Sequence, residues 1–149
     1  MKLKRPFAAT ALLVLSVSAQ AHVRVLPVES QTGARQTYTM RVPTEGKVAT
    51  TSVELEVPAG LSVISVADPA ETRKVDGRIA FITWKVSIPP GQSQNFDFVA
   101  ENPKTDQEMA WKAHQRYADG TSRDWVDLPK TKSPASVTTL SANPQLTAH

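Results

Sequence analysis

Cysteine is absent from all 149 residues. That single absence removes disulfides, thiolate metal sites and cysteine nucleophiles together. Methionine is scarce: beyond the initiator only Met40 and Met109 are present, which argues against a thioether site for a soft metal ion. After Val17 no apolar run approaches the roughly 20 residues of a membrane-spanning helix. Convincing helical periodicity is missing as well. Clustered positive charge is also missing past the amino terminus. The net charge of +3 comes from Lys2, Lys4 and Arg5, and the remainder balances 14 basic against 14 acidic residues. Nucleic acid is therefore not an expected partner.

What is present begins with a secretory leader. A basic start, an apolar run from Phe7 to Val17, and small residues at Ala19 and Ala21 are its three parts. The spacing predicts a signal peptide over residues 1–21, cleaved after Ala21, and a soluble product in the periplasm. The remaining 128 residues suffice for one domain with its own core. Without disulfides, that core alone must hold an exported domain.

Cleavage there makes His22 the first residue, with a free α-amine beside its imidazole. An amine of pKa about 8 and an imidazole near about 6.5 both give up their protons to a metal at neutral pH. Together they can close a chelate ring, and the Irving–Williams order makes copper(II) the favoured occupant of such nitrogen donors. A histidine left at the cleavage point by chance is the competing reading.

Beyond His22 the pattern is apolar–polar alternation. Val23 and Val25 alternate with His22 and Arg24, which sends the histidine away from the core, and Pro27 ends that strand. Residues 36–42 place Tyr38, Met40 and Val42 on one face. After a turn at Pro43–Lys47, Thr50–Val57 directs Val53, Leu55 and Val57 inward and Glu54 and Glu56 outward. Further strands are expected at 61–66, at 79–86 behind the Asp76-Gly77 turn, and at 94–100 behind Pro89-Pro90-Gly91. Residues 104–118 fit either a helix capped by Asp106 or a strand with Met109, Trp111, Ala113, Gln115 and Tyr117 on one face. The strand is preferred, because Asp119-Gly120 followed by 121–126 is a strong hairpin signal. A last strand over 135–140 closes the domain. The expectation is an all-β, antiparallel immunoglobulin/fibronectin-like β-sandwich of about nine strands. It spans residues 22–140, with a flexible tail over 141–149.

Three features could meet His22. Glu54 and Glu56 are a carboxylate pair on one strand face, although plain solvated glutamates fit the pattern too. Trp125 follows the Asp-Gly hairpin, where a packing role would also explain it. A two-residue loop at Asp119-Gly120 would set His114 opposite Trp125, and a solvated histidine without a role is the alternative.

Several segments in order resemble the YcnI-like family of exported bacterial copper-binding domains, along nearly the whole mature chain. They are Ala21-His22-Val23, Pro27-x-Glu29-Ser30, Tyr38-Thr39-Met40-Arg41-Val42-Pro43 and Thr50-Thr51-x-Val53-Glu54-Leu55-x-Val57-Pro58. They continue with Pro90-Gly91-Gln92, Phe96-x-Phe98-Val99-Ala100-x-Asn102-Pro103 and Gln115-x-Tyr117-x-Asp119-Gly120-Thr121, followed by Trp125. The resemblance implies copper(II) held by a brace on one histidine. His22 would supply amine and ring nitrogens, Glu54 an oxygen, and Trp125 would lie beside the metal. Glu56 is off the motif position. The C-terminal membrane anchor of some relatives has no counterpart here, and His114 is an extra imidazole.

The expected function is a periplasmic copper(II)-binding protein with a chaperone or storage role, not an enzyme. It would exchange the ion with periplasmic or membrane copper-transport proteins. Two alternatives stand beside it: a metal-free adhesion or assembly module, and a histidine-brace copper oxygenase, for which only His114 could supply the second histidine.

Overall fold

A computed structural model describes Leu3, residues 22–67 and residues 69–143. Apart from Leu3, the expected leader lies outside the described residues, as does the tail past Asn143. All regular structure among the described residues is β. One sheet orders β1 (Arg24–Leu26), β3 (Arg35–Pro43), β8 (Ser93–Glu101) and β5 (Ser62–Val66). A second orders β11 (Ser122–Trp125), β10 (Ala113–Tyr117), β4 (Thr50–Glu56), β7 (Arg78–Ile88) and β6 (Ala70–Val75). The third is small, β2 (Glu29–Gln31), β12 (Ser136–Ser141) and β9 (Gln107–Trp111). Every pairing is antiparallel except β2 with β12.

The expected sandwich is present, with twelve strands in three sheets rather than about nine. The surplus has three sources. β2 is only three residues long and is defined by its partner β12 rather than by its own pattern. β6 is polar on both faces and exists because Asp76-Gly77 folds it onto β7. Asp76 and Gly77 both have positive φ, at 52° and 77°, the signature of a tight two-residue hairpin turn. The single strand expected over 104–118 breaks at Lys112, where the chain leaves the third sheet for the second. At the far end β12 extends to Ser141, one residue past the expected Leu140.

Alternation explains which side chains form the core. Tyr38, Met40 and Val42 from β3 meet Val53 and Leu55 from β4, Ile82 and Trp84 from β7, and Phe96 and Phe98 from β8. Trp111 tilts against Tyr38 with ring centroids 5.0 Å apart, and Trp84 lies 5.2 Å from Phe96. Burying each such side chain contributes about 1.5–3 kcal/mol, the resource a domain without disulfides relies on.

Two buried amides tie the layers together. Asn102 accepts from the Tyr38 hydroxyl at 2.6 Å and donates to Ser30 Oγ at 2.9 Å and to the Gln31 carbonyl at 2.7 Å. Gln115, fully buried in β10, donates to the Pro43 carbonyl at 2.9 Å and to Thr50 Oγ1 at 2.7 Å. Its Oε1 accepts from the Trp125 indole at 3.1 Å. Replacing Gln115 with leucine keeps the volume but leaves these buried groups without partners. Gln115→Leu is expected to lower unfolding free energy by about 2–4 kcal/mol in urea titrations. A loss no greater than that of an exposed substitution would show that the network is not structural.

Candidate functional site

β1 begins only at Arg24, so His22 precedes the strand and escapes its strict alternation. Val23 is buried and anchors the segment before β1, while the half-buried His22 ring leans on the Trp125 indole. The ring centroids are 5.3 Å apart, with planes tilted by 51°. Trp125 ends β11 opposite Ala113, on the inward face of the second sheet. Its indole N–H is spent on Gln115, so its ring face is what His22 meets.

The hairpin register differs from the expected one by a residue. His114 pairs with Asp124, not with Trp125. The loop between β10 and β11 is Ala118-Asp119-Gly120, closed by the Tyr117 N–H donating to Thr121 O at 2.9 Å. Only Gly120 has positive φ, 83°, as the last residue of a three-residue loop does. One residue of slip moves a strand side chain to the other face. His114 therefore lies outside the sheet while Trp125 lies inside, and the structure does not bring His114 to His22.

Glu54 is on that same outer face. It pairs across the sheet with His114 and Thr83, and its Oε2 accepts from Thr83 Oγ1 at 3.3 Å. Strand β4 lies two strands in from β11, so Glu54 is separated from the Trp125 ring by the sheet itself. The structure brings together His22 and Trp125 but not Glu54.

A different carboxylate shares the cavity with His22. Glu45, in the turn between β3 and β4, lines a space of about 480 Å³ together with His22, Arg123, Lys130, Thr131 and Lys132. The Arg123 guanidinium lies 4.5 Å over the Trp125 ring, and its Nη1 is 3.7 Å from Glu45 Oε2. It also donates to Ser133 Oγ at 3.2 Å and to the Lys132 carbonyl at 3.1 Å, which pins the loop after β11 across the site. A second groove of about 690 Å³ opens on the other side of His22, toward Arg24, Val28 and Pro134. Sequence reasoning missed Glu45 and Arg123. Arg123 shares its face with Trp125 by simple alternation, so it was findable. Glu45 sits in a turn, where no periodicity says which way a side chain points.

Chemically, an imidazole, a carboxylate and the amine that cleavage would free form a nitrogen–oxygen donor set. Such a set suits copper(II), nickel(II) or zinc(II) and is poor for copper(I). The indole shields one side of the His22 ring, and Arg123 places a positive charge in the same cavity.

On the outer face His114 makes a separate cluster. Its Nε2 lies 2.8 Å from Glu56 Oε2, and its Nδ1 lies 2.7 Å from Asp124 Oδ1. Ionised carboxylates only accept, so both ring nitrogens must donate, and the imidazolium satisfies the pair. Partial burial opposes that charge, but the hydrogen bonds donated to Asp124 and Glu56 outweigh it and raise the His114 pKa above its ordinary value.

With this geometry in hand, residues 65–140 match the family described as "Domain of unknown function (DUF1775)". The chain is 37% identical over 144 residues to the "Copper-binding protein CutI" of Bacillus subtilis (strain 168), covering 91% of this chain and 70% of that one. An uncharacterized Nocardia farcinica protein with an immunoglobulin-like fold superposes with TM-score 0.70 at 24% identity, over 81% of this chain and 99% of that one. A non-cellulosomal cohesin from Archaeoglobus fulgidus gives TM-score 0.52 at 13% identity, over 84% and 94% of the two chains. These two structures establish the fold alone.

The His114 cluster makes stability depend on pH in a definite direction. A pKa raised on folding contributes stability that is fully present below the unfolded value, about 6.5, and is lost as pH rises through the folded value. His114→Gln should lower stability by about 1 kcal/mol at about pH 5.5 and by less at about pH 9, since the pair is partly solvated. Thermal unfolding of both proteins across that range checks it. A deficit that grows with pH would refute the imidazolium clamp.

Proposed function

The chain belongs to the DUF1775 family, the YcnI family its sequence resembles, and on that premise we propose that it binds copper(II) as cargo through His22. The observation that carries the reading is the cluster at the chain start, His22 against Trp125 in a cavity that also holds Glu45. The relative named for copper binding supports the choice of metal. The ring and amine nitrogens of His22, once Ala21 is removed, are the nitrogen donors. Glu45, rather than Glu54, is the carboxylate of the site, because it opens on the same cavity and Glu54 does not. Trp125 covers one side and keeps bulk water off the ring.

The leader and the balanced charge of the remaining residues support export to the periplasm. There the protein would store the ion or carry it between copper-transport proteins. An open, loop-lined site supports exchange better than permanent retention. A two-histidine oxygenase site finds no support, since His114 is committed to Glu56 and Asp124 on the other face.

Two measurements test this reading. Mature protein beginning at His22 should bind copper(II) at least about 100-fold more tightly than protein retaining an amino-terminal extension, because the extension removes the α-amine donor. Trp125 fluorescence quenching follows the titration, and equal affinities would rule out the amine. Separately, Glu45→Gln should weaken binding by about tenfold or more, while Glu54→Gln should change it by less than about twofold. If Glu54 proves the sensitive position, the carboxylate has been assigned to the wrong face.

A further inference from the structure

The charge around His22 is of the wrong sign for a bare dication. Arg123, Lys130 and Lys132 line the cavity against a single carboxylate, Glu45. Arg24 adds a further positive charge where the second groove meets His22. Like charges at such range repel, and a metal ion entering alone would meet that repulsion at every step. Arg123 is engaged, by Glu45, Trp125 and the loop. The Lys130 and Lys132 ammonium groups have no hydrogen-bonding or ionic partner among the described residues.

The loop that carries these lysines is fixed. Thr131 Oγ1 donates to the Leu128 carbonyl at 2.8 Å, and Arg123 holds the Lys132 carbonyl. Lys130 has φ of 69°, a left-handed conformation that a lysine keeps only where its surroundings impose it. Two exposed lysines thus stand on an ordered loop at the cavity containing His22 and Glu45. The proposed donors number two nitrogens and one oxygen, while copper(II) favours a four-membered tetragonal set. One position remains for an outside ligand, and an anionic oxygen there would face Lys130 and Lys132.

We infer that this cavity binds a small polycarboxylate together with the metal, so that copper(II) is taken up and released as a carboxylate chelate. One carboxylate oxygen would complete the metal's donor set, and the remaining carboxylate would lie against the two ammonium groups. The anion offsets the excess positive charge that repels the bare ion. This inference rests on the copper reading above.

The test uses mature protein beginning at its native His22, in a non-coordinating buffer. Copper(II) alone is titrated first, and that result decides the copper reading without any anion present. Malonate, and acetate as a single-carboxylate control, are then added to the copper-loaded protein while electron paramagnetic resonance is recorded. Malonate should shift the protein-bound spectrum at concentrations where acetate does not. Lys130→Gln/Lys132→Gln should tighten binding of copper alone by about threefold, through lost repulsion, and weaken the malonate effect by about tenfold. Three outcomes overturn the inference while leaving the copper reading intact. Malonate leaves the spectrum unchanged, or strips the metal into solution, or acts equally on the double variant. Failure of copper alone to bind would overturn both.

Discussion

The structure around the site depends on one buried amide. Gln115 has no contact with solvent, and it meets three separate stretches of chain. Its nitrogen holds the Pro43 carbonyl and Thr50, which fixes both ends of the turn that presents Glu45. Thr44 strengthens that turn, with its hydroxyl 2.7 Å from Thr50 Oγ1 and donating to the Ile88 carbonyl at 3.0 Å. The Gln115 oxygen takes the indole proton of Trp125, setting the ring plane on which His22 rests. A buried side chain with all its partners satisfied contributes rigidity that no hydrophobic substitute can. The cavity has its shape because this one side chain ties β3, β4, β10 and β11 together.

Much of this architecture was legible in the sequence, and the parts that were not have identifiable causes. Alternation placed β3, β4, β7 and β8 and their inward residues, because burying one face of a strand imprints a period of two. β2 and β6 were invisible for the converse reason, since neither buries a consistent face. The dipeptide Asp-Gly occurs twice with two outcomes. At Asp76-Gly77 both residues take positive φ and the loop has two residues. At Asp119-Gly120 only the glycine does, because Asp119 Oδ1 accepts from the Thr121 N–H and hydroxyl, favouring a three-residue loop. Nothing in the dipeptide itself distinguishes them. That one residue of difference decides whether His114 stands beside Trp125 or behind it.

The same pleat separates two chemistries on a single sheet. Inside, Trp125 and Gln115 face the core, and Trp125 meets His22 at the edge. Outside, Glu54, Glu56, His114 and Asp124 face away, and the imidazole links three adjacent strands through its two carboxylates. The outer cluster satisfies its histidine internally, leaving it a poor ligand. The inner histidine rests on an aromatic ring and opens on a cavity. Glu54, the carboxylate that the family resemblance implies, falls on the outer face, while Glu45 sits in a turn that carries no periodicity. The residue types that suit a metal were readable, but their faces were set by loop length and turn geometry.

The position of the site also bears on how readily it can exchange an ion. Its parts come from the segment before β1, the turn before β4, the edge strand β11 and the loop after it, none of them from the middle of a sheet. Trp125 and Val23 belong to the buried core and fix the inner side of the site, while Glu45, Lys130 and Lys132 occupy exposed turn and loop positions. Arg123 joins the turn and the loop, touching Glu45, the Trp125 ring and the Lys132 carbonyl at once. If Glu45 binds copper as proposed, it must turn from Arg123 toward the metal, and the interaction given up is subtracted from the free energy gained. Sites built on such exchange bind less tightly than preformed ones, and they let go more easily.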